Sequence, residues 1–167
     1  MQLLHNHKTL EPEHQATLQR SFFQGRAGKE TQHCIQCGTC SGSCPLAGEM
    51  DLGPRRVLDL LRDGFMEDVL RSSTIWLCVS CNACLTRCPR GIPVPDVMYV
   101  LRVMALEHGL ACREYKMPDV YQGFVRQVEK RGRVSESRLA AGYGLLHPWD
   151  MSGRIPLAIR LLRRGRV

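Results

Sequence analysis

The 167-residue sequence lacks several features that mark common classes of protein. It has no run of about 18 consecutive apolar residues, the length that a membrane-spanning helix requires. The first residues show no basic start followed by an apolar run, so no secretory signal is predicted. No G-x-G-x-x-G motif follows a strand, and there is no P-loop. The sequence therefore predicts neither a membrane span nor a nucleotide site, and the expected location is the cytoplasm.

Cysteine, in contrast, is abundant, with nine residues in the chain. Eight of them form two copies of the pattern C-x-x-C-x-x-C-x-x-x-C-P, and the second copy follows the first by 44 residues at every cysteine. These are Cys34, Cys37, Cys40 and Cys44 in the first copy and Cys78, Cys81, Cys84 and Cys88 in the second. Such repetition indicates a duplicated structural unit. In a cytoplasmic chain, many cysteines indicate metal binding or redox chemistry more than disulfides.

The spacing of the cysteines predicts two [4Fe–4S] clusters. Three cysteines at intervals of three residues can surround one face of a cubane, whereas the fourth, followed by proline, reaches the other cluster in two-cluster ferredoxins. One cluster is accordingly assigned to Cys34, Cys37, Cys40 and Cys88. The other cluster is assigned to Cys78, Cys81, Cys84 and Cys44.

Two structural zinc sites are an alternative, because zinc also binds four thiolates. Zinc sites typically use two C-x₂₋₄-C pairs separated by a loop, and the cysteine triplets depart from that arrangement. Cys112 belongs to neither motif and is interpreted as a small buried residue. Arg87 and Arg90 lie near the second motif and are expected to raise the reduction potential of at least one cluster. No catalytic residue is identified.

The remainder of the sequence has helical patterns and no alternation typical of strands, so the predicted fold class is all-α around two cysteine loops. Residues 1–30 are interpreted as an N-terminal arm, residues 31–110 as a two-cluster ferredoxin-like domain, and residues 111–167 as a basic helical C-terminal extension. Helices are predicted to begin near Pro54, Phe65, Ser73, Asp96, Pro118, Ser135 and Ile155.

The net charge of +7 comes entirely from the C-terminal part of the chain. Residues 1–125 contain 13 basic and 13 acidic side chains, whereas residues 126–167 contain ten basic and three acidic ones. A basic segment can bind nucleic acid, so an iron–sulfur regulator is a second hypothesis. No helix-turn-helix pattern accompanies the charge. The arginine-rich helix predicted for Ile155–Arg164 is interpreted either as a docking element for a protein partner or as a helix that closes the core of this chain with its arginines solvated. We therefore expect no nucleic-acid partner.

With these motifs, the sequence resembles the alpha-helical ferredoxin domain, specifically over residues 30–100. The stand-alone form with a helical C-terminal extension is similar to the iron–sulfur C subunit of heterodisulfide reductase. The resemblance implies a non-catalytic electron-transfer component of a hetero-oligomer. Its partners would be an A subunit containing flavin and iron–sulfur clusters and a catalytic B subunit with thiol/disulfide-active clusters. The eight motif cysteines would be the cluster ligands.

The shared domain and the amino-acid composition bear on which complex the chain belongs to. Iron–sulfur subunits of the succinate/fumarate, glycolate and glycerol-3-phosphate oxidoreductases share the domain and remain an alternative. The chain has 19 arginines and 4 lysines, a bias associated with GC-rich bacterial genomes. That association favours a bacterial heterodisulfide-reductase-like complex over the methanogenic enzyme.

Overall fold

The computed structural model describes residues 10–112 and 115–149, together with positions 156, 159, 160, 163 and 164. Over these residues the regular secondary structure is helical and contains no β-strand, which confirms the all-α prediction. The helices of this part of the chain are α1 (Pro12–Gln24), α2 (Arg26–Thr31), α3 (Thr39–Gly42), α4 (Pro54–Asp63), α5 (Met66–Leu70), α6 (Thr74–Leu77), α7 (Ala83–Thr86), α8 (Val94–Glu107), α9 (Met117–Arg131) and α10 (Glu136–Leu146).

Helix α4, between the two motifs, begins and ends as its sequence predicts. Pro54 occupies the first turn, where its missing N–H costs no hydrogen bond. Gly64 ends the helix with a φ of 89°, a left-handed conformation that favours glycine. The apolar side chains of Val57, Leu58 and Leu61 are at most 1% exposed, so this face of α4 belongs to the core.

The chain divides into two compact units, Met1–Tyr115 and Lys116–Val167. In the first unit, α8 packs against α2, α5, α6 and α7, and α1 packs against α2 and α5. The largest fully buried side chains all belong to this unit: Leu18, Phe22, Val57, Leu58, Leu61, Met66, Val69, Leu70, Ile75, Ile92, Met98 and Leu101. Apolar burial on this scale is the main stabilising contribution to the unit.

The segment that the sequence analysis separates as an N-terminal arm contributes to this core. Leu18 and Phe22 of α1 are 2% and 1% exposed. The Gln19 side chain donates a hydrogen bond of 3.0 Å to the carbonyl of Leu61 at the end of α4. The N–H of Leu10 donates one of 2.7 Å to Glu67 in α5. From residue 10 onward, α1 and α2 are therefore structural parts of the first unit.

In the second unit, α9 and α10 pack against each other. Helix α9 ends at Gly132, which has a φ of 68°, and His147 lies 2.8 Å from the carboxylate of Asp119. The apolar residues Phe124 and Val125 are both 47% exposed. The helix predicted for Ile155–Arg164 falls largely outside the described residues.

No helix in the described part of the chain combines the length and apolarity needed to cross a membrane.

Candidate metal centres

The two cysteine motifs fold into loops with matching backbone conformations. In the first loop, Gln36 and Gly38 adopt left-handed conformations with φ of 57° and 81°. The residues 44 positions later, Ser80 and Asn82, do the same with φ of 52° and 61°. Each loop then leads into a four-residue helix, α3 or α7, at the same offset. The predicted duplication is therefore confirmed at the level of the backbone.

A first cavity lies beside the first loop. Cys34, Cys37 and Cys40 of the first motif line it together with Cys88, the last cysteine of the second motif. Ile35 is exposed at its rim, whereas Leu58, Ile92 and Val94 are buried. The four cysteines that the sequence assigns to one cluster thus surround a single space.

A second cavity has the complementary set of cysteines. Cys78, Cys81 and Cys84 line it together with Cys44 from the first motif. Val94 lines both cavities, and α3 packs against α7, so the two cavities are neighbours. This adjacency lets the last cysteine of each motif line the cavity beside the other motif.

The thiols differ in their surroundings, and their pKa values shift accordingly. Burial raises the pKa of Cys40 above its ordinary value and raises that of Cys84 to about 11. A hydrogen bond with the Thr39 hydroxyl lowers the pKa of the exposed Cys37. A group that binds these cysteines as thiolates would have to offset the cost of burying the charge at Cys40 and Cys84.

Arginine side chains bind the backbone of the first cysteine in each loop. Arg62, at the end of α4, donates a hydrogen bond of 3.0 Å to the carbonyl of Cys34. Arg102 of α8 is 7% exposed and donates to the carbonyls of Cys78 and Ile75. Each loop is thereby tied to a long helix, the second one through a buried contact.

Asp51 links the chain that follows the first motif to the helix that precedes the second. Its carboxylate accepts hydrogen bonds from the N–H groups of Ser73 and Thr74, at 2.8 and 3.1 Å, and from the Thr74 hydroxyl at 2.6 Å. Asp51, rather than the side chain of a serine next to the helix start, therefore caps α6. Because α6 ends one residue before Cys78, this cap fixes the start of the second loop.

The donor set of both cavities fits a [4Fe–4S] cubane, for which four cysteine ligands are typical. Each cavity offers four cysteines and no histidine or carboxylate. Backbone N–H groups also point at sulfur: Gln36 donates to Cys34 and Ile92 to Cys88, both at 3.4 Å. Across the described residues, no three His, Cys, Asp or Glu side chains converge closely enough for a single metal ion.

Comparison with known proteins supports this interpretation. Residues 30–92 match the family model of a 4Fe–4S dicluster domain. The chain is 32% identical over 130 residues to the C subunit of the H₂:CoB-CoM heterodisulfide, ferredoxin reductase of Methanothermobacter marburgensis, an alignment that covers 75% of this chain and 69% of the relative. The chain belongs to the family of heterodisulfide reductase C subunits.

Other members of the family show similar identity over shorter spans. The iron–sulfur C subunit of the CoB–CoM heterodisulfide reductase of Methanopyrus kandleri is 33% identical over 95 residues, which cover 57% of this chain and 50% of the relative. The C subunit of the ferredoxin:CoB-CoM heterodisulfide reductase of Methanosarcina mazei is 39% identical over 90 residues, or 54% of this chain and 55% of the relative. The chain thus spans about half the length of these two relatives.

The residues that line the cavities agree only in part with those that the sequence singles out. Of the two arginines that the sequence places near the second motif, Arg90 lines the first cavity and Arg87 lines neither. Arg55, which that prediction omits, also lines the first cavity. Comparison of the two motifs position by position would have flagged Thr39, whose counterpart is Ala83. Cys112 lines neither cavity and is only partly buried.

Proposed function

We propose that this chain is the iron–sulfur electron-transfer subunit of a heterodisulfide-reductase-like complex. The observation that carries the proposal is the composition of the two cavities, each with three cysteines of one motif and the last cysteine of the other. Family membership and the dicluster match support it. When bound, each [4Fe–4S] cluster accepts and releases single electrons, and the chain's own residues hold, orient and partly shield it.

We further propose a ligand set for each of the two clusters. The first cluster is bound by Cys34, Cys37, Cys40 and Cys88, and the second by Cys78, Cys81, Cys84 and Cys44. The grouping of these side chains around two separate spaces supports the crossed assignment. The buried residues Ile92, Val94 and Met98 keep water from the inner side of the sites, which favours stable clusters.

Electron exchange with partners would occur at the exposed edges of the loops. Cys37 and Cys81 are exposed, and beside them Ile35 and Val79 are 61% and 67% exposed. Exposed apolar side chains next to a redox centre suit close docking, because their burial stabilises the complex where the centres must approach. As the partners we propose an A subunit containing flavin and iron–sulfur clusters and a catalytic B subunit, in a cytoplasmic hetero-oligomer.

We propose that the chain has three segments with different roles in this function. Residues 31–110 form the two-cluster ferredoxin-like domain, residues 1–30 the N-terminal arm, and residues 111–167 the basic helical extension. The ten basic side chains of residues 126–167 suit an acidic surface on a partner protein.

Anaerobic purification of the whole chain tests the proposal directly. Two cubanes require about eight iron and eight acid-labile sulfide atoms per chain, with broad visible absorption that dithionite bleaches. Zinc in place of iron, and a colourless protein, would refute the proposed function.

The crossed ligand set has its own test in single cysteine variants. Cys44→Ser should alter the magnetic resonance spectrum of the cluster that Cys78→Ser also alters, and Cys88→Ser that of the cluster altered by Cys34→Ser. Cys112→Ser is the matched control and should leave iron and sulfide contents unchanged. If Cys44→Ser instead alters the same cluster as Cys34→Ser, the crossing is wrong.

A further inference from the structure

The two loops share a backbone but differ in the side chains that reach the cysteine sulfurs. At the first site, the Gln36 side-chain amide donates to Cys34 Sγ over 3.6 Å, and the Thr39 hydroxyl lies 3.4 Å from Cys37 Sγ. Because the ligand form of Cys37 is a thiolate, the Thr39 hydroxyl must be the donor there. These two donors belong to the first loop alone.

The equivalent positions of the second loop do not supply such donors. Gln36 corresponds to Ser80, and Thr39 corresponds to Ala83, which has no polar atom in its side chain. The Asn82 amide donates to the carbonyl of Ser80 and not to sulfur. Within the described part of the second loop, no side-chain donor equivalent to Gln36 or Thr39 reaches a cysteine sulfur.

The orientation of Gln36 indicates that its amide is directed at the sulfur. Its Oε1 atom is buried and has no hydrogen-bond partner among the described residues. A buried unpartnered oxygen is unfavourable, so this orientation needs a strong acceptor for the amide N–H₂ group. A thiolate sulfur at Cys34 is such an acceptor, since hydrogen bonds to charged groups are stronger than neutral ones.

Charged side chains reinforce the difference between the sites. Arg55 and Arg90 both line the first cavity. The lining of the second cavity is apolar or neutral, with Leu46, Met50, Met98 and Val79 among its members. Arg62 and Arg102 each contact the carbonyl of one loop's first cysteine, so they do not distinguish the sites. Among the residues that line the cavities, two arginines lie at the first site and none at the second.

We infer that Gln36, Thr39, Arg55 and Arg90 make the first site the higher-potential one of the pair. A reduced cluster carries one more negative charge than an oxidised one, so hydrogen-bond donors and positive charge favour the reduced form. A single electron shared by the two sites therefore resides mainly at the first, and its transfer forms or breaks no bond. This inference rests on the proposed function, because it requires a cluster at both sites.

A redox titration of the whole chain, purified anaerobically with its clusters, tests the inference by magnetic resonance. In the Gln36→Leu/Thr39→Ala double variant, the reduced-to-oxidised ratio of the higher-potential cluster should fall at least tenfold at a given applied potential. For one electron this lowers that reduction potential by about 59 mV. The lower potential should be unchanged. The single variant Thr39→Ser keeps both the hydroxyl and Gln36, so both of its reduction potentials should equal those of the wild type.

The reciprocal variant, Ala83→Thr, provides the matched test at the second site. It introduces the hydroxyl on the same backbone conformation and should raise the lower potential while the higher one stays fixed. If the double variant retains both clusters but shifts the lower potential, or shifts neither, the inference is wrong and the proposed function still stands. A wild-type chain with fewer than two clusters would overturn both.

Discussion

Replacement of Asp51 by alanine should weaken both the fold and the second metal centre. The Asp51 carboxylate caps α6 and also accepts a hydrogen bond of 2.8 Å from its neighbour Leu52. Loss of a helix cap costs roughly 0.5–2 kcal/mol, and hydrogen bonds to a charged group contribute about 1.5–3 kcal/mol each before non-additivity. Because Asp51 is exposed, its contribution is reduced by solvent, and we expect a loss of about 2 kcal/mol.

Thermal unfolding followed by far-ultraviolet circular dichroism, under anaerobic conditions, measures the loss. At roughly 2–4 °C per kcal/mol for a chain of this size, Asp51→Ala should melt about 4–8 °C below the wild type. Asp51→Asn keeps one oxygen acceptor and should fall between the two. Asp59→Ala is the matched control, because Asp59 only pairs with Arg56 at the surface and should change stability by less than about 0.5 kcal/mol.

The pH dependence of this difference has a definite sign. Partial desolvation of the carboxylate oxygens raises the pKa of Asp51, but hydrogen bonds from Thr74, Ser73 and Leu52 outweigh it and leave the pKa below its ordinary value. The contribution is therefore complete above the unfolded-state pKa of about 3.9 and is lost only as pH falls through the lower folded-state value. The difference between wild type and Asp51→Ala should stay constant between about pH 8 and pH 5. A difference that disappears within that range, or an Asp51→Ala variant as stable as Asp59→Ala, would refute the reasoning.

Three further substitutions have opposed controls within the chain. A Cβ at Gly28 would lie 2.1 Å from the carbonyl oxygen of Phe22, so Gly28→Ala should destabilise the first unit by more than about 1 kcal/mol in chemical denaturation. Gly142 lies in open space on α10, so Gly142→Ala should stabilise the second unit by up to about 1 kcal/mol. Arg102→Gln removes the charged donor to the carbonyls of Ile75 and Cys78, so it should lower the free energy of unfolding by about 2–4 kcal/mol and release part of the iron from the second site. Arg62 is exposed, so Arg62→Gln should lower it by less than about 1 kcal/mol. Arg90→Gln should lower the potential of the first cluster in a redox titration. Arg87→Gln should lower it by less, because Arg87 lines neither cavity.

Much of the fold is predictable because local signals and the tertiary structure agree. Pro54 and Gly64 bound α4, Gly109 follows the end of α8, and Ser135 precedes α10, as the sequence indicates. The repeat of the cysteine pattern at a fixed offset likewise predicts two loops of similar backbone, as the left-handed residues at equivalent positions show. The crossed ligand assignment itself stays a prediction.

The remainder depends on long-range contacts that leave no local pattern. The capping of α6 by Asp51 joins residues 22 positions apart, and the Arg102 contact with Cys78 spans 24. The role of α1 in the core depends on Leu18 and Phe22, whose spacing alone is too sparse to distinguish a packed helix from an arm. The choice between Arg55 and Arg87 as a cavity residue depends on the direction in which α4 approaches the first loop, which the helix periodicity does not specify.

The duplicated architecture separates the geometry of the sites from their energetics. Two identical sites would hold an electron equally well, and the chain would favour neither end. Left-handed residues at equivalent positions fix the loop shape in both copies, so Thr39 and Ala83 can differ without moving a cysteine. A hydroxyl, an amide and two arginines at one site would then stabilise a reduced cluster there without a change in the loop backbone. Directional electron flow through such a protein therefore needs only side-chain differences on a repeated backbone.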